Sequence, residues 1–300
     1  MRVRYEYQGI HIYDRVTGTN ILFDEIGILP REIHPGPRVI SIALTNKCDS
    51  SCYFCYAPKT PETLEPEYVY ELCQAMDDLG VLEVAFGGGE PTLYPYLCKL
   101  CNDIWNSTEL GISITTNGHH LTKKMIDNLN GNISIIRFSI DAIEPIYSEI
   151  RKYNISNVTE NIQYLQDKMP FGINTVINSQ TIDCLDGVLN FAIDHNAKSL
   201  LLLPEVKNGS FVLDKACWLK LETWINRNWR RIPMEITSLA RLYLNCPFLF
   251  DNEYDPKLSY WHIGANGKIR ETSYSEDGTT IIGGEDLRLF FKEKCPNNPA

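Results

Sequence analysis

Along this chain, short apolar runs alternate with stretches whose apolar residues recur every three or four positions. The runs RVISIAL (38–44), VLEVAF (81–86), GISITT (111–116), ISIIRFSI (133–140), FGINTVI (171–177) and KSLLLLP (198–204) are rich in β-branched residues and read as strands. Between them lie helical stripes: Val69, Leu72, Cys73, Met76 and Leu79; then Leu97, Leu100, Cys101, Ile104 and Trp105; then Ile182, Leu185, Leu189 and Ala192. Six such strand–helix units predict a parallel sheet with right-handed crossovers and helices over one face. An open doubly wound sheet and part of a (β/α) barrel both satisfy this pattern.

The flanks follow a different rhythm. Residues 1–37 read as a β meander: Val3, Tyr5 and Tyr7 alternate before Gly9, Ile10 and Ile12 alternate after it, and VTGTN supplies a turn before ILFD. HPGPR then reads as a linker into the strand–helix region, 38–230. After Arg231, MEITSLARLYLNCPFLF gives way to short strand-like pieces, YWHIGANGKIRETSY and TTII, and to a terminal helix from Glu285. Residues 231–300 are therefore expected to form a small α+β extension.

Charge narrows the partners. A net charge of −10, with no basic run or stripe, argues against binding nucleic acid by phosphate neutralisation, and leaves peptides and small molecules. The opening MRVRYEYQGIHIYD lacks the apolar core of a signal peptide, and no apolar run is long enough to cross a bilayer, so a cytoplasmic protein without membrane contact is expected. In that compartment ten cysteines do not read as a disulfide framework. Metal binding, catalysis or burial must account for them.

In a parallel α/β sheet, functional groups gather on the loops after the C-terminal strand ends. The unusual segments of this chain fall there. Cys48, Cys52 and Cys55 follow the first strand, GGGEP (87–91) the second, TTNG (115–118) the third, and SIDA (139–142) closes the fourth. Thiolates are soft ligands suited to zinc or iron–sulfur clusters. Structural zinc takes four ligands, usually in paired knuckles, and no second knuckle stands opposite this one. A four-iron cluster held by three cysteines instead leaves one iron open to a small molecule.

The arrangement CDSSCYFC after a first strand, with GGGEP and TTNG following in order, resembles the signature of the radical S-adenosylmethionine (SAM) superfamily; Phe54 stands where that family has an aromatic residue. The resemblance covers about residues 38–206. It implies a partial (β/α)6 TIM-type barrel, one 4Fe–4S cluster on Cys48, Cys52 and Cys55, and SAM chelating the open iron. An electron donor such as flavodoxin or ferredoxin would drive SAM cleavage to a 5′-deoxyadenosyl radical, which abstracts hydrogen from an unactivated C–H bond. By the same resemblance, Gly88, Gly89 and Glu90 receive the SAM amine, and Thr116 and Asn117 the ribose. Ser139 and Asp141, on one face of the fourth strand, and Arg151 in SEIRKY belong beside the rest of SAM, Arg151 near its carboxylate; a surface salt bridge is the competing reading for that arginine. Asn174, Asn178 and Glu205 are further pocket candidates.

Of the other cysteines, Cys73, Cys98, Cys101 and Cys184 read as buried small hydrophobes. The C-terminal extension weakly resembles the SPASM or twitch extension of peptide-modifying members, but Thr272 stands where a cluster-binding cysteine would be, and only Cys246 and Cys295 follow residue 240. A degenerate extension without an auxiliary cluster is expected; Cys246 is a candidate hydrogen-atom donor, with burial as its plain alternative. The leading reading is a maturase acting on a ribosomally made peptide by crosslinking, ring closure or epimerisation. The same chemistry on a nucleotide or sugar, and a SAM-binding sensor without turnover, are the alternatives. The meander is too short for a winged-helix leader-binding domain; it either adds a strand to a peptide or caps the barrel. Tyr56, His119, His120 and Tyr274 lie near loop ends without a motif that assigns them a role.

Overall fold

Each apolar run becomes a strand and each stripe a helix, because in both cases the face to be buried is encoded locally. The computed structural model describes residues 1–246, 259–275 and 277–294. It opens with three antiparallel strands, β1 (Arg2–Glu6), β2 (Gly9–Asp14) and β3 (Thr19–Phe23). The βα series follows as β4 (Val39–Thr45), α1 (Pro66–Asp78), β5 (Glu83–Gly88), α2 (Leu97–Ser107), β6 (Gly111–Thr116) and α3 (Lys123–Leu129). It continues through β7 (Ile135–Ser139), α4 (Ile146–Arg151), α5 (Ile155–Leu165), β8 (Phe171–Ile177), α6 (Leu185–Asp194) and β9 (Leu200–Pro204). A hairpin, β10 (Val206–Lys207) and β11 (Ser210–Phe211), leads to α7 (Lys215–Asn228) and β12 (Met234–Ile236). The remaining described elements are β13 (Tyr260–Ile263), β14 (Lys268–Arg270), β15 (Thr279–Thr280) and a helix, α8 (Gly284–Lys294).

Strands β4 to β9 are parallel neighbours in chain order, the arrangement of a partial barrel rather than of a doubly wound sheet. Ile40, Ile42 and Leu44 of β4 are fully buried in the core, into which Val69, Leu72, Cys73 and Met76 of α1 also pack. Burying a side chain of that size contributes about 1.5–3 kcal/mol, so these stripes hold the helices in place. Two details depart from the sequence pattern. Ile182 lies on a 3₁₀ turn ahead of α6, whose buried stripe starts at Leu185. Trp105, at the margin of the α2 stripe, is only partly buried against the core and lies under the Arg15 guanidinium, 4.0 Å from its ring centre.

The chain beyond Arg231 does not stand apart from the barrel. β12 pairs parallel with β9, Met234 opposite Leu200, and β13 pairs parallel with β4, His262 opposite Ser41. Six strands leave two open edges with unpaired backbone groups, and the C-terminal stretch covers both. Trp261 locks β13 to α8 through Phe290 and Phe291, with ring centres 5.3 and 5.6 Å away. Among the described residues no helix is long and apolar enough to cross a membrane.

The meander caps the N-terminal end of the barrel. Arg4 donates to the carbonyls of Gly36 and Gly80 at 2.5 and 2.6 Å, and Arg15 to those of Thr108 and Trp105 at 2.6 and 3.0 Å. Glu6 is the buried hub of the junction, accepting from His11 at 2.8 Å, Arg38 at 2.7 Å and Arg4 at 3.0 Å. Burial alone raises the Glu6 carboxyl, but the bonds from His11 and Arg38 and the charges of Arg4 and Arg38 outweigh it, lowering it from 4.5 to about 2. A depressed folded-state value contributes stability that is complete above the unfolded value and is lost as pH falls toward 2. On the order of 3 kcal/mol is at stake at neutral pH. Glu6→Gln is therefore expected to unfold at lower temperature than the parent at pH 7, with the gap shrinking below pH 4; a gap independent of pH would show that this carboxylate is not the acid-sensitive element.

The edges of the meander differ. Tyr5 on β1 has both backbone groups taken by His34, whereas β3 pairs, among the described strands, only with β2. Pairing aligns Val3, Ile12 and Ile21 in one row and Tyr5, Ile10 and Phe23 in the next. The outer positions stay exposed, Val3 at 46%, Ile21 at 44% and Phe23 at 40%.

Candidate functional site

Three of the loops flagged in the sequence, those after β4, β5 and β6, meet at the C-terminal strand ends through one hydrogen-bond network. Glu90, 1% exposed, is its centre. Its Oε1 accepts from the Thr92 backbone at 2.9 Å and from the Thr92 and Thr116 hydroxyls at 2.6 Å, while Oε2 accepts from the Asn117 backbone at 2.7 Å. Asn117 then donates through its side-chain amide to Asp49 Oδ1 at 2.7 Å and to Ser50 Oγ at 3.1 Å. Ser50 in turn donates its backbone N–H to Cys48 Sγ at 3.4 Å. GGGEP, TTNG and the cysteine loop are thus three parts of one polar unit. Glu90, Thr116 and Asn117 tie these loops together here.

The glycines explain how the second loop reaches the first. Gly88 has φ +103°, a left-handed conformation, and a Cβ there would lie 2.6 Å from the Thr45 carbonyl oxygen. At Gly89 a Cβ would stand 2.2 Å from the Lys47 carbonyl oxygen, so the loop packs directly onto the base of the cysteine loop. At Gly87 a Cβ would meet no atom within 4 Å, so open space lies beside the backbone.

Asp141 and Arg151 form a buried pair, not a surface one. Arg151 donates through Nε and Nη2 to Asp141 Oδ2 at 2.7 and 2.6 Å, and Asp141 Oδ1 takes the Val176 backbone N–H at 2.9 Å. The guanidinium also lies 5.7 Å from the Phe54 ring centre. Ser139 and Asn174 are register partners across β7 and β8; Asn174 donates to the Thr115 hydroxyl at 3.3 Å, while its own carbonyl oxygen is buried without a partner among the described residues. Asn178 donates to Glu205 and to the Tyr53 hydroxyl, both at 2.8 Å. The sequence had marked Asn178 and Glu205 as pocket candidates, but the part that Tyr53 of the cysteine loop plays in this link had no signal there.

The C-terminal strands bring in other side chains. On β13, the His262 ring nitrogen Nδ1 lies 2.7 Å from Ser41 Oγ, which also lies 2.6 Å from the Tyr260 hydroxyl. Burial, then the charge of Arg270, pushes His262 down to about 4, so the ring is neutral near pH 7. Tyr56, next to Cys55, packs edge-on against Tyr274 and His262, with ring centres 5.4 and 6.5 Å apart. No local pattern could reveal this, because the residues lie at opposite ends of the sequence.

The donor set suits an iron–sulfur cluster. Cys48, Cys52 and Cys55 are three free thiols on one loop, and thiolates are soft ligands of the kind such clusters take. A cubane takes each thiolate on a different iron, so the three need only face one cavity. Burial pushes the Cys48 thiol up to about 11 and raises Cys52, against the opposing charge of Arg151. A metal reverses that order by taking up the deprotonated thiolate. Lys59 Nζ, 3.4 Å from Cys55 Sγ, adds compensating positive charge.

The remaining cysteines divide. Cys73 and Cys101 are fully buried, as their stripes predict, and Cys98 is half-buried. Cys184 packs against the small buried cluster of Cys52, Ala142 and Ile150, as Phe54 and Cys55 also do, which its helix-flanking position did not suggest. Cys246 is fully buried, with Sγ 4.0 Å from Asn226 on α7 and its thiol pushed up to about 11 by burial, then by the charge of Glu222; these neighbours belong to α7 rather than to the strand-end loops. Cys295 lies outside the described residues.

Comparisons with known proteins agree with this geometry. The chain is similar to SuiB of Streptococcus suis bound to S-adenosylmethionine, with a TM-score of 0.73 and 16% identity over 98% of this chain and 87% of that one. It is also similar to anSMEcpe with bound AdoMet and a peptide, with a TM-score of 0.62 and 17% identity over 85% of this chain and 80% of the other. At these identities the likeness establishes the fold. By sequence the chain is similar to a probable GTP 3′,8-cyclase of Methanocaldococcus jannaschii, 26% identical over 171 residues, 53% of this chain and 56% of the relative. A second, from Methanococcus vannielii, is 27% identical over 175 residues, so the chain spans about half the length of the curated relatives it matches. The model of the Radical SAM superfamily matches residues 42–192, half of the chain and the whole run from the cysteine loop to α6, and the protein accordingly belongs to that superfamily as a radical SAM enzyme.

Proposed function

We propose that this radical SAM enzyme acts on a C–H bond within a peptide. Cys48, Cys52 and Cys55 would hold the cluster, with Lys59 offsetting its charge. Gly87 leaves room for the SAM methionyl end, while Glu90 and Asn117 keep the surrounding loops in place. Asp141 orients Arg151, and Ser139 and Asn174 line the adjoining interior face. When bound, the cluster and SAM supply the one-electron cleavage chemistry that removes hydrogen from carbon. The chain supplies orientation and a wall formed by His262, Tyr274 and Tyr56 on the side that six strands alone leave open.

The observation carrying the peptide reading is the covering of both barrel edges by the C-terminal stretch, within a fold similar over 98% of this chain to SuiB, also solved bound to the precursor peptide SuiA. The outer edge of β3, which pairs with no further strand among the described residues, offers an extended segment a place to pair by strand addition. A nucleotide substrate is the second reading, favoured by the GTP 3′,8-cyclases among the sequence relatives.

The test is anaerobic. Reconstituted protein with SAM and dithionite, or with a flavodoxin or ferredoxin, would be given GTP or short peptides encoded beside its gene. Deoxyadenosine formation and substrate mass would be followed together. Stimulation by a peptide whose mass or stereochemistry changes supports the proposal; consumption of GTP alone would replace it with the nucleotide reading. About four irons per chain would fit a single cluster, whereas about eight would require an auxiliary one.

A further inference from the structure

Asp49, inside the cysteine loop, faces His119 in a contact that has no role so far. Asp49 follows Cys48, and His119 follows TTNG. The His119 side chain is 3% exposed, and its Nδ1 stands 3.5 Å from Asp49 Oδ2. Both atoms are buried, and neither has a well-aligned hydrogen-bond partner among the described residues. The half-exposed ring of His120 also approaches Asp49 Oδ2, with Nε2 at 3.3 Å. The other ring nitrogen of His119, Nε2, lies 3.2 Å from the hydroxyl of Tyr147 on α4, the helix that ends at Arg151. Tyr153 packs on the same imidazole, with ring centres 3.9 Å apart.

The chemistry of these groups fixes the direction of the contacts. A carboxylate only accepts, so Nδ1–H points at Asp49; Nε2 and the Tyr147 hydroxyl then share the second contact, with the hydroxyl as donor whenever the ring is neutral. A buried donor and acceptor left facing each other just beyond bonding distance are costly unless the gap closes.

We propose that His119 is a positioning residue, a cross-tie that joins the cysteine loop, through Asp49, to helix α4, through Tyr147. Its work is to set the cluster-bearing loop against the helix carrying Arg151, so that cluster and SAM meet in register. The tie explains why two buried polar atoms face each other here, and why Tyr147, itself fully buried, keeps a hydroxyl directed at the ring.

His119→Ala, His119→Asn and Tyr147→Phe test this in the reconstituted enzyme. Readouts are iron content, the EPR spectrum of the reduced cluster before and after SAM, and KM for SAM against kcat. Loss of one hydrogen bond predicts about a tenfold rise in KM in His119→Ala, with kcat and iron content near parental. The spectral change on adding SAM should shrink in parallel. His119→Asn, which keeps a donor toward Asp49, should recover most of both effects. Tyr147→Phe, which keeps the ring's shape, should reproduce them in part, and it decides the matter with His119→Asn if the alanine variant fails to fold. An unchanged KM and SAM-dependent spectrum in Tyr147→Phe and His119→Ala would overturn the proposal, as would an asparagine variant no better than alanine.

Discussion

A variant with Cys48, Cys52 and Cys55 all replaced by alanine is expected to bind no iron–sulfur cluster and to form no detectable 5′-deoxyadenosine. The three thiols are the soft donors of the one loop to which Glu90, Asn117 and Ser50 connect the other strand-end segments. The fold should survive the change, since the barrel core is built from β4 to β9 and the helix stripes, and none of the three cysteines belongs to its main cluster. Single variants should be nearly as inactive, because in the proposed site each thiolate would ligate a different iron and none could substitute for another. Iron and sulfide counts, absorbance near the thiolate-to-iron bands and deoxyadenosine yield measure this directly. A triple variant that still carries about four irons would place the cluster on other cysteines, with Cys184 the nearest alternative by packing.

The second large effect is expected at Arg151. Asp141 is 1% exposed and has two bonds from this guanidinium, so Arg151→Ala strands a buried carboxylate. Removing one partner of such a pair costs about 3–5 kcal/mol. For a chain of this size that corresponds to a fall of roughly 10 °C in Tm, readable by calorimetry on protein without cluster. Arg151→Lys should fall between, since an ammonium keeps the charge but not the two-pronged geometry. A double variant, Asp141→Asn with Arg151→Gln, separates structure from function. Removing both charges should restore much of the stability, while KM for SAM stays raised if the guanidinium also contacts SAM. A fall of less than about 2 °C in Arg151→Ala would mean that water reaches the pair and solvates it.

Much of this was legible in order along the chain. Val69, Leu72, Cys73 and Met76 announce α1 because a helix buries one stripe, and VISIAL announces β4 because a strand buried in a parallel sheet reads as a nearly continuous apolar run. Parallel strands then bring every strand-end loop to one end, which is why Cys48, Glu90, Asn117 and Asp141 could be grouped from sequence alone. What they do once grouped was less legible. Glu90 spends its oxygens on Thr92, Thr116 and Asn117, and Arg151 points at Asp141, because a buried carboxylate must be satisfied by whatever donors stand nearest.

By itself, then, the sequence determined the elements, their order, the parallel βα architecture and the cysteine loop with its companion motifs. These depend on periodicity and spacing within a few residues. Only the tertiary structure decided that β12 and β13 cover opposite barrel edges, that Tyr56 meets Tyr274 and His262, and that His119 faces Asp49. Those contacts join residues far apart in the chain. They follow from which backbone edges remain unpaired and which buried polar atoms still need partners once the barrel has formed, and no local pattern carries that information.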